Sequence, residues 1–414
     1  MWFKEASLAS NKRSWTVLVY MVADHKEKGA TLLDSFAEEE LRAIANAADL
    51  TDMHVAVQVD FTKVDGTFRG TMVPSECACD IASVCSGSEL EEARVVEKWS
   101  EGDKSITLCH GKETNAADPN VLARFLKWGR TVCPAQRYAI LFWGHSFGPM
   151  GLFLDGGTVS LPRVAKTIDR ALLGPADVVL FKDCLMNTLE TAYEMQGVAK
   201  YAIGSQALIP IKGVWPYTDL FAILQTASSD NALFVARALA ARLGTHYDDR
   251  LNRAGFAEVP MSMLDLGQVQ TMTEPLKELV KELRALDKRT AAKARGIFEE
   301  ARAGRGVSDH QHPGDPALLD FTTLCRNLLE LETPARKSAE ALNGRLRTLV
   351  PWAHSQRNTF NGISIYYVAL DPEVLQLPGL RSVVEPAVLT DPEGYTKLAL
   401  NQKTDWSAVA LEQF

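Results

Sequence analysis

The sequence predicts an α/β fold with a mostly parallel central sheet, and three observations predict it. Apolar runs of strand length recur through the first part of the chain, with helical patterns between them. These runs are continuously apolar rather than alternating, as in strands covered on both faces. Two of them end abruptly in a chemically active residue, which is how open α/β sheets present their sites.

The strands expected in order are Trp15–Val22, Met53–Val59, Thr67–Val73, Tyr138–Trp143, Val178–Phe181 and Tyr201–Ser205. Helices are expected between them at Thr31–Ala47, Asn120–Val132, Leu161–Leu173 and Leu185–Val198. After Trp215 the pattern turns helical: Asn231–Leu243, Gly267–Leu286, Thr290–Ala303, Pro316–Glu332 and Pro334–Val350. One late strand, Gly362–Val368, follows. The expected division is a sheet-based domain over 1–255 and a largely helical region over 256–414 that returns this strand. Gly304–Asp315 is a polar loop containing Gly and Pro. There is no internal repeat and no low-complexity tract.

The composition, 46% hydrophobic and 23% charged over 414 residues, is that of a globular chain. A net charge of -8 without any polybasic run argues against nucleic acid and anionic membrane as partners. The N-terminal region has no charged-then-apolar leader pattern, so a cytoplasmic location is expected. Seven cysteines, an odd number in a long chain, argue against a disulfide framework. Cys77, Cys79 and Cys85 with His110 do not have the spacing of a standard zinc site and read as ordinary thiols.

Two stretches carry the chemistry. In YAILFWGHSFG an apolar strand ends and His145 follows at once, between Gly144 and Gly148. In VVLFKDCLMNTLETAYEM another ends at Cys184. One helical pattern, Leu161–Leu173, separates them, about the length of a right-handed crossover between parallel neighbours. Both side chains would then leave the same sheet edge. A thiol beside an imidazole becomes a thiolate that attacks a carbonyl, and the histidine returns a proton to the leaving amine. The backbone amides of Ser146 and Cys184 are the expected donors to the oxyanion. The bland alternative is an inert buried cysteine and a structural histidine.

These residues resemble the clostripain family of cysteine peptidases, which is grouped with caspases, gingipains and legumain. WGHSFG resembles that family's histidine turn, with HSFG standing where HG is common, and Cys184-Leu185-Met186 with Glu190 matches the C-L-M-x-x-x-E part of its cysteine pattern. WTVLVYMVADH, VAVQVD, SQALIPIKGVWPY, DPALLDF and GISIYY resemble further blocks in the same order, from about residue 15 to 370. The resemblance implies a caspase-like fold, a His145–Cys184 dyad and endopeptidase activity on protein or peptide substrates.

Departures from the pattern bear on specificity. The family's aspartate two before the cysteine, tied to its Arg/Lys preference, is Lys182 here, and the acid stands at Asp183. The acids that follow Ser205 in the family are Gln206 and Ala207. Lys182, Asp183, Ser205, Gln206 and Trp215 are therefore the expected substrate pocket. Alternation along a strand puts Lys182 on the side of Cys184, so loss of a strict basic preference is expected, with acidic or neutral residues to be tested; the alternative is that Lys182 bends to solvent or pairs with Asp183 and another acid lines the pocket.

The segment between His145 and Cys184 has no Lys or Arg before Arg163, so self-processing there is not expected. The expectation is either no processing or a cut by another protease in Gly304–Asp315, which contains Arg305. No cofactor is expected. Calcium dependence occurs in part of the family, but no EF-hand-like run is present, so only scattered carboxylates would be available. The reading is a bacterial, monomeric endopeptidase acting on intracellular proteins, by family analogy in stress or defence. Its alternatives are a catalytically weak protein-binding module and a hydrolase of small amides.

Overall fold

The computed structural model describes residues 13–24, 33–47, 53–62, 67–74, 94–101, 104–110, 113–153, 155, 157–226, 231–248, 258–302, 318–367 and 392–411. Cys77, Cys79, Cys85 and the Gly304–Asp315 loop lie outside them.

The expected α/β architecture with a central sheet flanked by helices is present. Its strands are β1 (Arg13–Val22), β2 (Met53–Asp60), β3 (Thr67–Pro74), β4 (Arg94–Glu101), β5 (Lys104–His110), β6 (Ala135–Trp143), β7 (Ala176–Lys182), β8 (Ala199–Gly204), β9 (Met261–Asp265), β10 (Leu318–Asp320), β11 (Trp352–His354) and β12 (Ser364–Tyr366). Ten of them form one sheet in the order β11-β9-β8-β7-β6-β1-β2-β3-β5-β4. The five central strands, β8-β7-β6-β1-β2, are parallel, and both edges are antiparallel.

Each face of this sheet carries its own core, which is why the central strands read as unbroken apolar runs. Leu18, Tyr20, Phe142 and Phe181 belong to one, packed with the helices Pro119–Val132, Leu161–Leu172 and Leu189–Met195. Trp15, Val17, Val19 and Trp143 belong to the other, packed with Asp34–Ala47, Tyr217–Thr226 and Ala232–Asp248. No helix among the described residues is long and apolar enough to cross a membrane.

Three features differ from the sequence-based expectation. The sheet does not stop near residue 255: β9 pairs with β8, and β11 pairs with β9. The late strand β12 does not return to the large sheet but pairs with β10 in a two-stranded one. The helix expected from Leu185 begins at Leu189, because Leu185 takes a left-handed conformation (φ 61) and Thr188 caps the helix by accepting from the amide of Thr191 at 3.1 Å.

Candidate active site

β6 and β7 are adjacent, parallel and in register, with Trp143 opposite Lys182. His145 and Cys184 therefore each follow two residues after a register pair, at the same carboxyl edge. Both are half-buried. The loops they occupy are stitched together, since the Ser146 hydroxyl donates to the carbonyl oxygen of Cys184.

The histidine turn is held by a small antiparallel bridge. Phe147 donates its amide to Gly151 O and Phe153 donates to His145 O, both at 2.9 Å, on either side of the Ser146–Leu152 pair. In that pattern the flanking amides make the bridge, and the N–H of Ser146 points to the opposite side.

The cysteine turn is anchored from the next loop. Leu185 donates its amide to Ala207 O at 3.1 Å, and Asn187 donates its amide to Ser205 O at 3.0 Å. The Asn187 side chain also donates to Gly204 O and Ser262 O, at 3.0 and 2.9 Å. These bonds hold Leu185 in a conformation that costs an L residue about 1–2 kcal/mol. At the sulfur, the amide of Ile209 donates to Sγ at 3.4 Å. Burial pushes the Cys184 thiol up to about 11, the Ile209 amide pulls it down, and the neighbouring Asp183 carboxyl pushes it up.

The expected pocket residues separate into two groups. Lys182 and Trp215 lie together, with the Lys182 ammonium 5.8 Å from the centre of a Trp215 ring and donating to Gly213 O at 3.0 Å. It also forms a buried ion pair with Glu40 of the Asp34–Ala47 helix. Glu40 carried no local signal, because its partner lies far away in sequence. The strand alternation ends at the turn: Cys184 packs partly against the core opposite Lys182, while its sulfur touches the backbone of Ile209, whose side chain lies in the core of Trp215.

Asp183, Ser205 and Gln206 point elsewhere. Asp183 is fully buried, neither carboxylate oxygen has a hydrogen-bond partner among the described residues, and burial holds it well above the usual carboxylate range. Ser205 Oγ accepts from the amide of Ala207. Gln206 donates to Asp320 and Ser364, and its carbonyl accepts from the amide of Gly362. It joins the loop after β8 to the C-terminal part of the chain.

Glu190 lies at the start of the helix behind Cys184 and is buried. Its Oε1 accepts from the amide of Tyr366 at 2.9 Å and from the hydroxyl of Tyr395 at 2.6 Å. Elsewhere at the carboxyl edge, the buried Asp24, Asp60 and Asp155 bring one oxygen each within 4.8 Å of one another. This is a group that could hold a cation, and no local spacing announced it. Asp155 accepts from the amide of Ala116 at 2.6 Å, and Asp60 from Thr67 Oγ1 at 3.4 Å.

Residues 155–312 match the model of the clostripain family, Peptidase C11. The match contains Cys184 and begins after His145. No curated protein matches the sequence. Among solved structures, one similar to this chain is a secreted C11 cysteine protease from Bacteroides thetaiotaomicron in complex with an irreversible peptide inhibitor. Its TM-score is 0.65 at 16% identity, covering 96% of this chain and 100% of that one. A second structure of a secreted C11 protease from that organism has a TM-score of 0.61 at 15% identity, covering 86% and 94%. An inactive zymogen C11 protease from Parabacteroides distasonis has a TM-score of 0.59 at 17% identity, covering 95% and 99%. The cytoplasmic location expected from the sequence does not stand, because both B. thetaiotaomicron structures are of secreted enzymes. With it falls the restriction to intracellular substrates. Residues 155–312 of the chain thus match the clostripain family, and its fold is the one seen in solved C11 cysteine proteases.

Proposed function

We propose that the protein is a cysteine endopeptidase in which Cys184 is the nucleophile and His145 the proton carrier. One observation carries this reading: two in-register parallel strands deliver the two residues to one edge, and the Ser146–Cys184 hydrogen bond ties their loops together. In the reaction, Sγ gives its proton to the imidazole and bonds to the substrate carbonyl carbon. The oxyanion is received by the amides of Ser146 and Cys184. The C–N bond then breaks as the imidazolium returns the proton to the leaving amine, and water hydrolyses the thioester. Burial holds the resting thiol above its ordinary value, so the imidazole is the group needed to take its proton. We place its substrates outside the cytoplasm, in keeping with the secreted proteases that share the fold.

The test is incorporation of a thiol-reactive peptidyl ketone into the wild type, Cys184→Ala and His145→Ala. Labelling that needs both residues supports the dyad. Cys184 reacting no faster than Cys133 or Cys325, both of which are buried, would turn the fold into a binding module.

A further inference from the structure

The loop that faces the sulfur is apolar and partly uncovered. Ile209 touches Sγ through its backbone. Its neighbour Leu208 is 38% exposed, one of only four large hydrophobic side chains so exposed among the described residues. Pro210 and Ile211 continue the apolar run. The same loop reaches Gly213, whose carbonyl accepts from Lys182, and then Trp215. An acyl group held on Sγ therefore has the Leu208–Ile209 segment of this loop beside it, and Lys182 is the buried cation that the same loop covers at Gly213 and Trp215.

That charge is cancelled. The side chains of Lys182 and Glu40 are each only 2% exposed and pair with each other. Neither Glu40 oxygen has a conventional hydrogen bond among the described residues, so Lys182 is what compensates that carboxylate. Lys212, in the same loop, is exposed to water, where a charge is strongly screened. A buried pair presents a short-range dipole. Either member alone would be an uncompensated charge in a medium of low dielectric, where its field reaches much farther.

We propose that this site takes an uncharged, apolar side chain immediately before the scissile bond, and that the Lys182–Glu40 pair sets this preference by keeping the floor of the loop neutral. The inference rests on the cysteine endopeptidase reading and deepens it. Glu40 and Lys182 are specificity-determining residues, and each masks the charge preference that the other would impose.

The experiment uses the full chain and three fluorogenic peptides that differ only in Leu, Arg or Asp before the cleaved amide. The wild type should favour Leu over both others in kcat/KM by about a hundredfold, the scale on which an apolar pocket discriminates. Lys182→Met should raise Arg relative to Leu by tenfold or more, on the order expected for one new charge pair. Glu40→Gln should do the same for Asp. If a single variant does not fold, Lys182→Met/Glu40→Leu removes both charges together, a replacement that buried pairs tolerate, and should keep the wild-type order. Cleavage that needs Cys184 but favours Arg or Asp in the wild type overturns this assignment and leaves the endopeptidase reading standing. Folded single variants that keep the wild-type order overturn it in the same way. If no peptide is cut and Cys184 shows no selective labelling, the endopeptidase reading falls and this assignment with it.

Discussion

Gly148 packs directly on the backbone of Leu185, so the turn after His145 and the turn after Cys184 touch. A Cβ at Gly148 would stand 3.0 Å from the Leu185 carbonyl oxygen, and the glycine has φ 58. Gly148→Ala is expected to lose about 1–2 kcal/mol for the left-handed conformation alone. It should also slow peptidyl ketone labelling of Cys184, because the only relief is to move the two turns apart. Urea melts and labelling rates on the same sample check both. Unchanged labelling in a destabilised variant would mean that the contact serves folding only.

The resting thiol makes a second prediction. Below its pKa, a thiol gains tenfold in thiolate per pH unit, so with a value of about 11 the alkylation of Cys184 by iodoacetamide should rise roughly a hundredfold from pH 7 to 9. Mass spectrometry resolves it from the buried Cys133, whose thiol burial pushes up to about 12. A plateau near pH 8 would contradict the protonated resting state.

Asp183 gives a pH dependence of stability. Burial raises its carboxyl in the folded chain, so the folded state holds that proton more tightly than the unfolded one. The contribution is present in full below about pH 4, the unfolded value, and is lost as pH rises toward the folded one. Asp183→Asn should therefore match the wild type at pH 4 and become progressively more stable than it toward pH 8. Denaturation at a series of pH values measures the difference, and a constant offset would refute the sign.

Tyr395 is expected to support the site from a distance. Tyr395→Phe removes one of the two donors on Glu190 Oε1 and leaves a buried carboxylate short of a partner. The cost should be about 1–3 kcal/mol, read from the urea midpoint at constant slope. A neutral result would mean that the amide of Tyr366 suffices.

Legibility in the sequence followed the range of the interactions. β1, β2, β6 and β7 were readable because burial on both faces leaves unbroken apolar runs. The placement of His145 and Cys184 followed from the same grammar of strand, turn and helix. β4 and β5 were missed, since their alternating, polar sequences RVVEKWSE and KSITLCH give no such run. β9 and β11 were hidden in a helical stretch because MSMLD and WAH are too short to show a period. Gln206 was read as pocket because it sits in a motif; its role as a link to Asp320 and Gly362 depends on contacts more than 100 residues away. Glu40 was invisible for the same reason.

The sheet beside the strand that leads to Cys184 is completed by β9 and β11, and Glu190 by Tyr395, all supplied from downstream. A ribosome adds about 5–20 residues per second. For many seconds after Cys184 leaves the exit tunnel, the strands and tyrosine that steady it have not yet been made. The nascent chain thus carries Cys184 on an unfinished scaffold, and the surroundings of that residue are set only when the C-terminal part of the chain is in place.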